Sequence, residues 1–249
     1  MSNTLLTQDT GKVRTLTFNR PEKKNAFTHA MYEAATEALR QADADPAIHV
    51  VVLTGAGGVF TSGNDIGDFV EHPVTGEDSA VFRFLRTLVD LAKPLVAVVD
   101  GPAVGIGTTM LLHCDYVLAS DRARFAMPFI NLALCPEGAS SVLLPRQAGM
   151  ALASELLLFG EPFDAETALR ARIINRVVPA AQLAEVAAER TQALAAKPLG
   201  ALQVTKSLLR DSMRSEVNGT LRREGAEFVK RLHSDEAREA LMAFMNRKK

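Results

Sequence analysis

The sequence predicts an α/β core followed by a helical C-terminal part. Two observations carry this reading. Through the first two thirds of the chain, short β-branched runs alternate with segments of helical spacing. Beyond Gly149 the spacing is helical almost throughout. Length and composition agree: 249 residues, 47% apolar and 23% charged, is the balance of a globular chain with a full core.

In chain order, Val13 to Phe18 alternates apolar with polar residues and predicts a strand, which Pro21 to Asn25 ends. Thr28 is placed to cap a helix running to about Asp43, with Met31, Ala34, Ala35, Ala38 and Leu39 on one face. Val50 to Leu53 predicts a buried strand, and Gly55 to Gly67 a long glycine-rich loop. Ser79 to Leu91 has helical spacing. Leu95 to Val99 predicts a second buried strand, followed by a glycine-rich turn and an apolar helix from about Gly105 to Leu112. Tyr116 to Ala119 and Arg124 to Ala126 are strand-like. Helices are then expected over Ala151 to Phe159, Ala165 to Ala171, Ala181 to Ala195 and Leu199 to Leu209, with one or two more between Glu216 and Phe244. The expected division is a core over 1–195 and a helical region over 196–249. No internal repeat or low-complexity segment interrupts it.

Composition excludes several function classes. With 28 Lys and Arg against 29 Asp and Glu, the net charge is −1, which argues against a broadly basic nucleic-acid surface. There is no tryptophan to build stacking platforms for single strands. Two cysteines, Cys114 and Cys135, make neither a disulfide framework nor a Cys-rich zinc site, and no metal is expected. The most apolar stretch, Leu95 to Ser120, is broken by Asp100, Pro102, His113 and Asp115, so no membrane span is expected. Met1 to Thr10 lacks an apolar signal core, and the final Asn246-Arg247-Lys248-Lys249 does not match the peroxisomal address; the expected location is cytoplasmic.

Two loops share a design. Gly55-Ala56-Gly57-Gly58-Val59-Phe60-Thr61-Ser62-Gly63-Asn64-Asp65 follows one buried strand. Asp100-Gly101-Pro102-Ala103-Val104-Gly105-Ile106-Gly107 follows the next and opens a helix. Either alone reads first as a tight strand-to-helix turn, and neither matches a phosphate-binding fingerprint. Converging, they would aim two backbone N–H donors at one ligand oxygen, which is the design of an oxyanion hole.

These segments resemble the two signature segments of the crotonase superfamily, the enoyl-CoA hydratase/isomerase proteins. Asn19-Arg20-Pro21-Glu22-Lys23-Lys24-Asn25-Ala26-Phe27 is similar to that family's segment for holding coenzyme A. The likeness continues through Pro136-Glu137-Gly138-Ala139-Ser140-Ser141, Phe159 to Ala165, Lys197-Pro198 and the tail. The resemblance implies a spiral of ββα turns with a C-terminal helical region used in trimer assembly. The expected assembly is a homotrimer or a dimer of trimers. It implies an acyl-CoA thioester as substrate and no separate cofactor. It carries the oxyanion donors to the N–H groups of Ser62 and Ile106. Position 106 is usually glycine in the family; isoleucine keeps the N–H and adds bulk.

The family's hydratases add water with two glutamates. Those positions match Thr109 and Phe129 here, and neither side chain serves as an acid or base at neutral pH. A different carboxylate, Glu137, stands between apolar neighbours. By itself it reads as an acid at a helix start. Its setting, Pro128-Phe129 to Ser140-Ser141, resembles the Δ3,Δ2-enoyl-CoA isomerases of the peroxisomal type and their bacterial relatives, in which this Glu is the single catalytic base. Asn64 fits that subgroup. The resemblance also implies that Arg20, Lys23 and Lys24 face the phosphates of coenzyme A and that the Ala26 backbone meets the adenine. Asn64, Asp65, Ile66, Thr109 and Phe129 complete the expected binding set, although Asp65 reads more readily as a helix cap. Two other readings stand beside the isomerase: a hydratase or other crotonase-type reaction, and a non-catalytic acyl-CoA-binding module. His113-Cys114-Asp115 reads as core or helix-end packing, since three consecutive residues do not converge on one metal. Cys135 is placed either to line the pocket or as a free buried thiol.

Overall fold

The apolar β-branched runs form the spine of the computed structural model, which describes residues 4–246 except 73, 75 and 77. Strands β1 (Leu5–Thr10), β2 (Val13–Phe18), β3 (Val50–Gly55), β4 (Leu95–Val99), β6 (Tyr116–Ser120) and β9 (Arg176–Val178) make a six-stranded sheet in the order β1-β2-β3-β4-β6-β9. Only β1 is antiparallel to its neighbour. A parallel sheet is covered on both faces, which is why β3 and β4 read as unbroken apolar runs. Leu16, Phe18, Val51, Leu53, Ala97 and Val99 point into the main core. Val13, Val50, Val52, Val96, Val98 and Leu118 form a smaller core on the opposite face with Leu183 and Ala195.

A second sheet contains β5 (Pro102–Val104), β7 (Arg124–Ala126) and β8 (Phe163–Asp164), in the order β5-β7-β8. Single bridges Phe27↔Asn64 and Thr61↔Ala103 extend the pattern towards the N-terminus. Each long strand thus hands the chain to a short extended piece and then to a helix. Strand β2 leads through Phe27 to α1 (His29–Ala44), and β3 leads through residues 61–64 to α2 (Ile66–Glu71). Strand β4 leads through β5 to α4 (Ile106–Thr109), and β6 leads through β7 towards α5 (Ser140–Ala148). This is the ββα spiral that the resemblance implies.

Helices α1 and α3 (Ala80–Asp90) cover the main core. Thr28 caps α1 by accepting the Met31 N–H at 3.3 Å. Helices α6 (Met150–Phe159), α7 (Ala165–Arg170), α8 (Leu183–Ala195), α9 (Leu199–Leu232) and α10 (Asp235–Asn246) follow. Three differences from the sequence reading have physical reasons. Strand β1 escapes it because only Leu5 is buried and the other five residues of this edge strand are exposed. Helix α9 is continuous where a break was expected, since Arg210 to Ser215 has only one apolar residue, Met213, which packs against the main core. Ion pairs Arg210–Asp115 and Arg214–Asp90 also tie that stretch to the core. The expected helix from Gly105 to Leu112 is a short α4 continued by a 3-10 turn, Met110–His113. No helix among the described residues is long and apolar enough to cross a membrane.

Candidate active site

Glu137 is held on a turn with unusual backbone. Gly138 and Ala139 both have positive φ, +68° and +57°. At 138 only glycine fits, since a Cβ would also press on Thr109 at 3.1 Å. Four elements fix the turn. The Thr109 hydroxyl, on α4, donates to Glu137 Oε1. His113 Nε2 meets the Gly138 carbonyl at 2.7 Å. Burial pushes the His113 pKa down to about 4, so the ring is neutral; facing a carbonyl, its Nε2 carries the proton. Ser140 donates through both its N–H and its hydroxyl to the Glu137 carbonyl. Glu224, from α9, accepts the Ala139 and Ser141 N–H groups at 2.6 and 2.9 Å.

Glu137 is 7% exposed as a residue, and its buried Oε2 has no hydrogen-bond partner among the described residues. Burial raises its pKa to about 8; the Thr109 hydrogen bond opposes the rise and the charge of Glu224 adds to it. Such an orphaned oxygen in the interior is costly. Tyr32, on α1, is close enough to feel this charge. Its phenol pKa stands well above 10, through burial first and then Glu137 and Asp68. The Tyr32 hydroxyl donates to Asn64 Oδ1 at 2.5 Å. Both residues line a cavity of about 440 Å³ with Phe27, Phe69, Val81 and the more polar His29, Asp68 and His72.

The two glycine-rich loops do converge. The Thr61↔Ala103 bridge joins them, and Gly63 lies so close that a Cβ there would meet the Val104 carbonyl at 2.8 Å. A Cβ on Gly107 would strike Thr61. The structure corrects one expected donor. The Ser62 N–H already donates to the Lys24 carbonyl at 2.9 Å, so it is engaged within the protein. The amide without an acceptor is two residues on. In the Phe27↔Asn64 bridge the flanking residues pair with Phe27, through Phe27 N–H to Gly63 O and Asp65 N–H to Phe27 O. The N–H of Asn64 itself therefore faces away and stays free among the described residues. Ile106 keeps its expected free N–H at the first position of α4, where no acceptor within the helix exists. The signal for Asn64 was present in the alternation of a bridged strand, but only once its partner strand was known.

The basic segment is also used differently from expectation. Arg20 is not free for phosphate: it pairs with Asp65 at 3.1 Å and donates to the Ala26 carbonyl at 2.6 Å. The Ala26 N–H donates to Lys23 O at 3.1 Å, so both polar backbone groups of Ala26 have partners within the protein. Asp65 caps α2, accepting the Gly67 and Asp68 N–H groups. Lys23 and Lys24 are exposed, and Ile66 is half-buried at the first position of α2. Phe129 is buried in the main core, and its carbonyl turns the chain by accepting the Leu132 and Leu134 N–H groups. Asn25, unremarked in the sequence, is fully buried and stitches this segment to the first loop: its side chain donates to Ala56 O and Val59 O and accepts the Arg20 N–H.

No described group of His, Cys, Asp and Glu forms a metal site. Cys114 and Cys135 are free, with pKa values raised to about 12 and about 11 by burial. The Cys135 thiol lies 3.9 Å from the Glu224 carbonyl.

Residues 8–249 match the family pattern "Enoyl-CoA hydratase/isomerase". The chain belongs to the enoyl-CoA hydratase/isomerase family. Among its relatives, "Enoyl-CoA delta isomerase 2" of Rattus norvegicus is 37% identical over 99% of this chain, and its Homo sapiens counterpart 36% over 98%. The chain spans 64% of the length of these two proteins. "1,2-epoxyphenylacetyl-CoA isomerase" of Escherichia coli is 38% identical over 79% of this chain and 78% of its own. Among solved structures, OdaA of Pseudomonas aeruginosa is 43% identical with a TM-score of 0.95, covering 98% of this chain and 99% of its own. An enoyl-CoA hydratase/isomerase of Pseudoalteromonas atlantica T6c is 38% identical with a TM-score of 0.93, covering 98% and 97%. The ββα spiral is therefore the family's crotonase fold.

Proposed function

We propose that the protein is an acyl-CoA double-bond isomerase, converting a 3-enoyl-CoA to the trans-2-enoyl-CoA with Glu137 as its only acid–base group. The observation that carries this is the buried carboxylate of Glu137, the one carboxylate among the described residues with a buried unpartnered oxygen; by the resemblance Thr109 and Phe129 stand for the two glutamates of a hydratase.

Moving a double bond from C3 to C2 needs one proton taken from C2 and one returned to C4. No water is consumed and no oxidant is required, so one carboxylate over one face of the substrate suffices. Glu137 Oε2 takes the C2 proton, and the electron pair moves into a dienolate whose charge rests on the thioester oxygen. The N–H groups of Asn64 and Ile106 hold that oxygen; one such donor typically supplies roughly 2.7–4 kcal/mol. The same carboxyl then returns the proton to C4. A base with pKa near 8 is better matched to a weakly acidic C–H than an ordinary carboxylate. The burial of Glu137 keeps competing water away. Exposed Lys23 and Lys24 meet the phosphates of coenzyme A. The exposed apolar residues Met150, Leu158 and Phe159 on α6, with Leu208 and Leu209 on α9, support assembly of copies as a homotrimer or dimer of trimers.

Paired 2-enoyl- and 3-enoyl-CoA substrates of several lengths, with products identified by mass and retention, test the reading. Glu137→Gln is expected to lose roughly 10³-fold or more in kcat while still binding acyl-CoA. Near-normal turnover by that variant rejects it. A hydratase is the second reading, because a relative at 32% identity is the "2,3-dehydroadipyl-CoA hydratase" of Escherichia coli. Rapid formation of 3-hydroxyacyl-CoA from a 2-enoyl-CoA would favour it. Tight binding without turnover of any substrate would favour a binding module.

A further inference from the structure

Glu224 is a buried acid that the proposed reaction does not use. It lies on α9 and is 8% exposed. Each of its oxygens accepts one backbone N–H: Oε2 from Ala139 at 2.6 Å and Oε1 from Ser141 at 2.9 Å. These amides belong to the start of α5, where a helix leaves N–H groups without partners of its own. The residue at the cap position, Ala139, has no side chain to accept them, and an acid 85 residues away does so instead. Ala139 itself holds a left-handed backbone, which a residue with a Cβ does not keep without external support. Glu137 stands two residues before it.

We propose that Glu224 is a positioning residue: through the Ala139 and Ser141 amides it fixes the turn that carries Glu137, and so ties the base to the C-terminal helix. The proposal rests on the reading of Glu137 as the base. A carboxylate is not buried without strong compensation, and two amides at a helix start provide it. Helix α9 is itself seated firmly beside this turn, since a Cβ on Gly225 would lie 2.6 Å from the Phe82 ring. Position matters because a misplacement of about 1 Å costs on the order of 10²-fold in rate.

Glu224 also acts through charge, being a like-charged neighbour that helps hold the Glu137 pKa up. Tyr32 on α1 and Thr109 on α4 face Glu137, the thiol of Cys135 and Arg223 face Glu224, neutral His113 meets the Gly138 carbonyl, and Glu227 and Arg231 on α9 act on Cys135. Burial pushes the Glu224 pKa up; the hydrogen bonds from Ser141 and Ala139 and then the charge of Arg223 oppose the rise.

The test is the pH profile of isomerisation by the full-length protein and its Glu224→Ala, Glu224→Gln and Glu137→Gln variants. Glu224→Ala leaves two amides unpartnered; kcat is expected to fall about 10²-fold with KM nearly unchanged. Glu224→Gln keeps an oxygen for one amide and loses the charge. It is expected to lose less in kcat, and the rising limb of its kcat/KM profile moves to lower pH. Wild-type kcat and an unmoved limb in both Glu224 variants overturn the proposal. So does an equal loss in both, with an unmoved limb and lowered melting temperature, which is a structural role only. Near-normal turnover by Glu137→Gln overturns the base and the proposal together; a dead Glu137→Gln beside wild-type-like Glu224 variants overturns the positioning role alone.

Discussion

The turn at 137–141 and the segment at 20–27 both carry charged residues, and they hold them in opposite ways. In the segment the charge of Arg20 is paired. Arg20 meets Asp65, and Asn25 closes the backbone onto the neighbouring loop. The turn is held from outside, by Thr109, His113 and Glu224, and its one carboxylate keeps an oxygen unpaired. The difference teaches that a charged residue in a motif is not yet a ligand group. What counts is the atom left over after the fold has used the rest. In the turn that atom is Glu137 Oε2; around the segment it is the Asn64 N–H and not that of Ser62.

The largest effect that probes this contrast, after Glu137→Gln, comes from proline substitutions. Proline is compatible with the first position of a helix and removes its N–H. Ile106→Pro is therefore expected to lose roughly 10²–10³-fold in kcat, with a lower melting temperature as well because part of a buried core side chain is lost. Ser62→Pro breaks the bond to Lys24 O, so its main expected effect is a lower melting temperature. Equal losses in kcat without destabilisation, measured by steady-state kinetics and thermal melts, would return Ser62 to the site.

A second effect is pH dependence. A base must be ionised to act, so kcat/KM is expected to rise with pH and level off above about 8. Stability runs the other way. The folded pKa of Glu137 lies above its unfolded value of about 4.5, so between these values the folded state holds a proton that the unfolded state has released. The contribution is fully present below 4.5 and is lost as pH rises through 8. Denaturant unfolding from pH 5 to 9 should show the loss in the wild type and a smaller one in Glu137→Gln. Parallel curves would mean that the carboxyl is solvated.

Much of this was legible beforehand. Strands β2, β3, β4, β6 and β7 follow from apolar runs and alternation, and α1 and α3 from spacing and a capping Thr28. Glu137 stood out because an acid among apolar residues invites explanation. What was not legible depends on partners distant in sequence. The engagement of the Ser62 N–H requires knowing that Lys24 lies opposite. The role of Glu224 requires that residues 85 apart meet. The caps of α7 by Asp164 and of α2 by Asp65 are local, and the second was readable as one of two alternatives.

The smallest effects separate the charges within the segment itself. The Arg20 side chain is only 15% exposed and holds both Asp65 and the Ala26 carbonyl. Arg20→Ala is thus expected to destabilise by about 1–2 kcal/mol, visible as a lower denaturation midpoint, with KM following only as far as the loop loosens. Lys23 and Lys24 have no such duties for their ammonium groups among the described residues and face solvent. The double variant Lys23→Ala/Lys24→Ala is expected to leave the melting temperature unchanged and to raise KM for a CoA thioester a few-fold. That increase should shrink as salt screens the phosphate attraction. Because both changes remove positive charge from one short stretch, net charge alone predicts the same outcome for each. Only the difference in pairing predicts stability loss in one and a salt-dependent KM in the other. A salt-dependent rise in KM for Arg20→Ala at unchanged stability would mean that Arg20 leaves Asp65 when substrate binds.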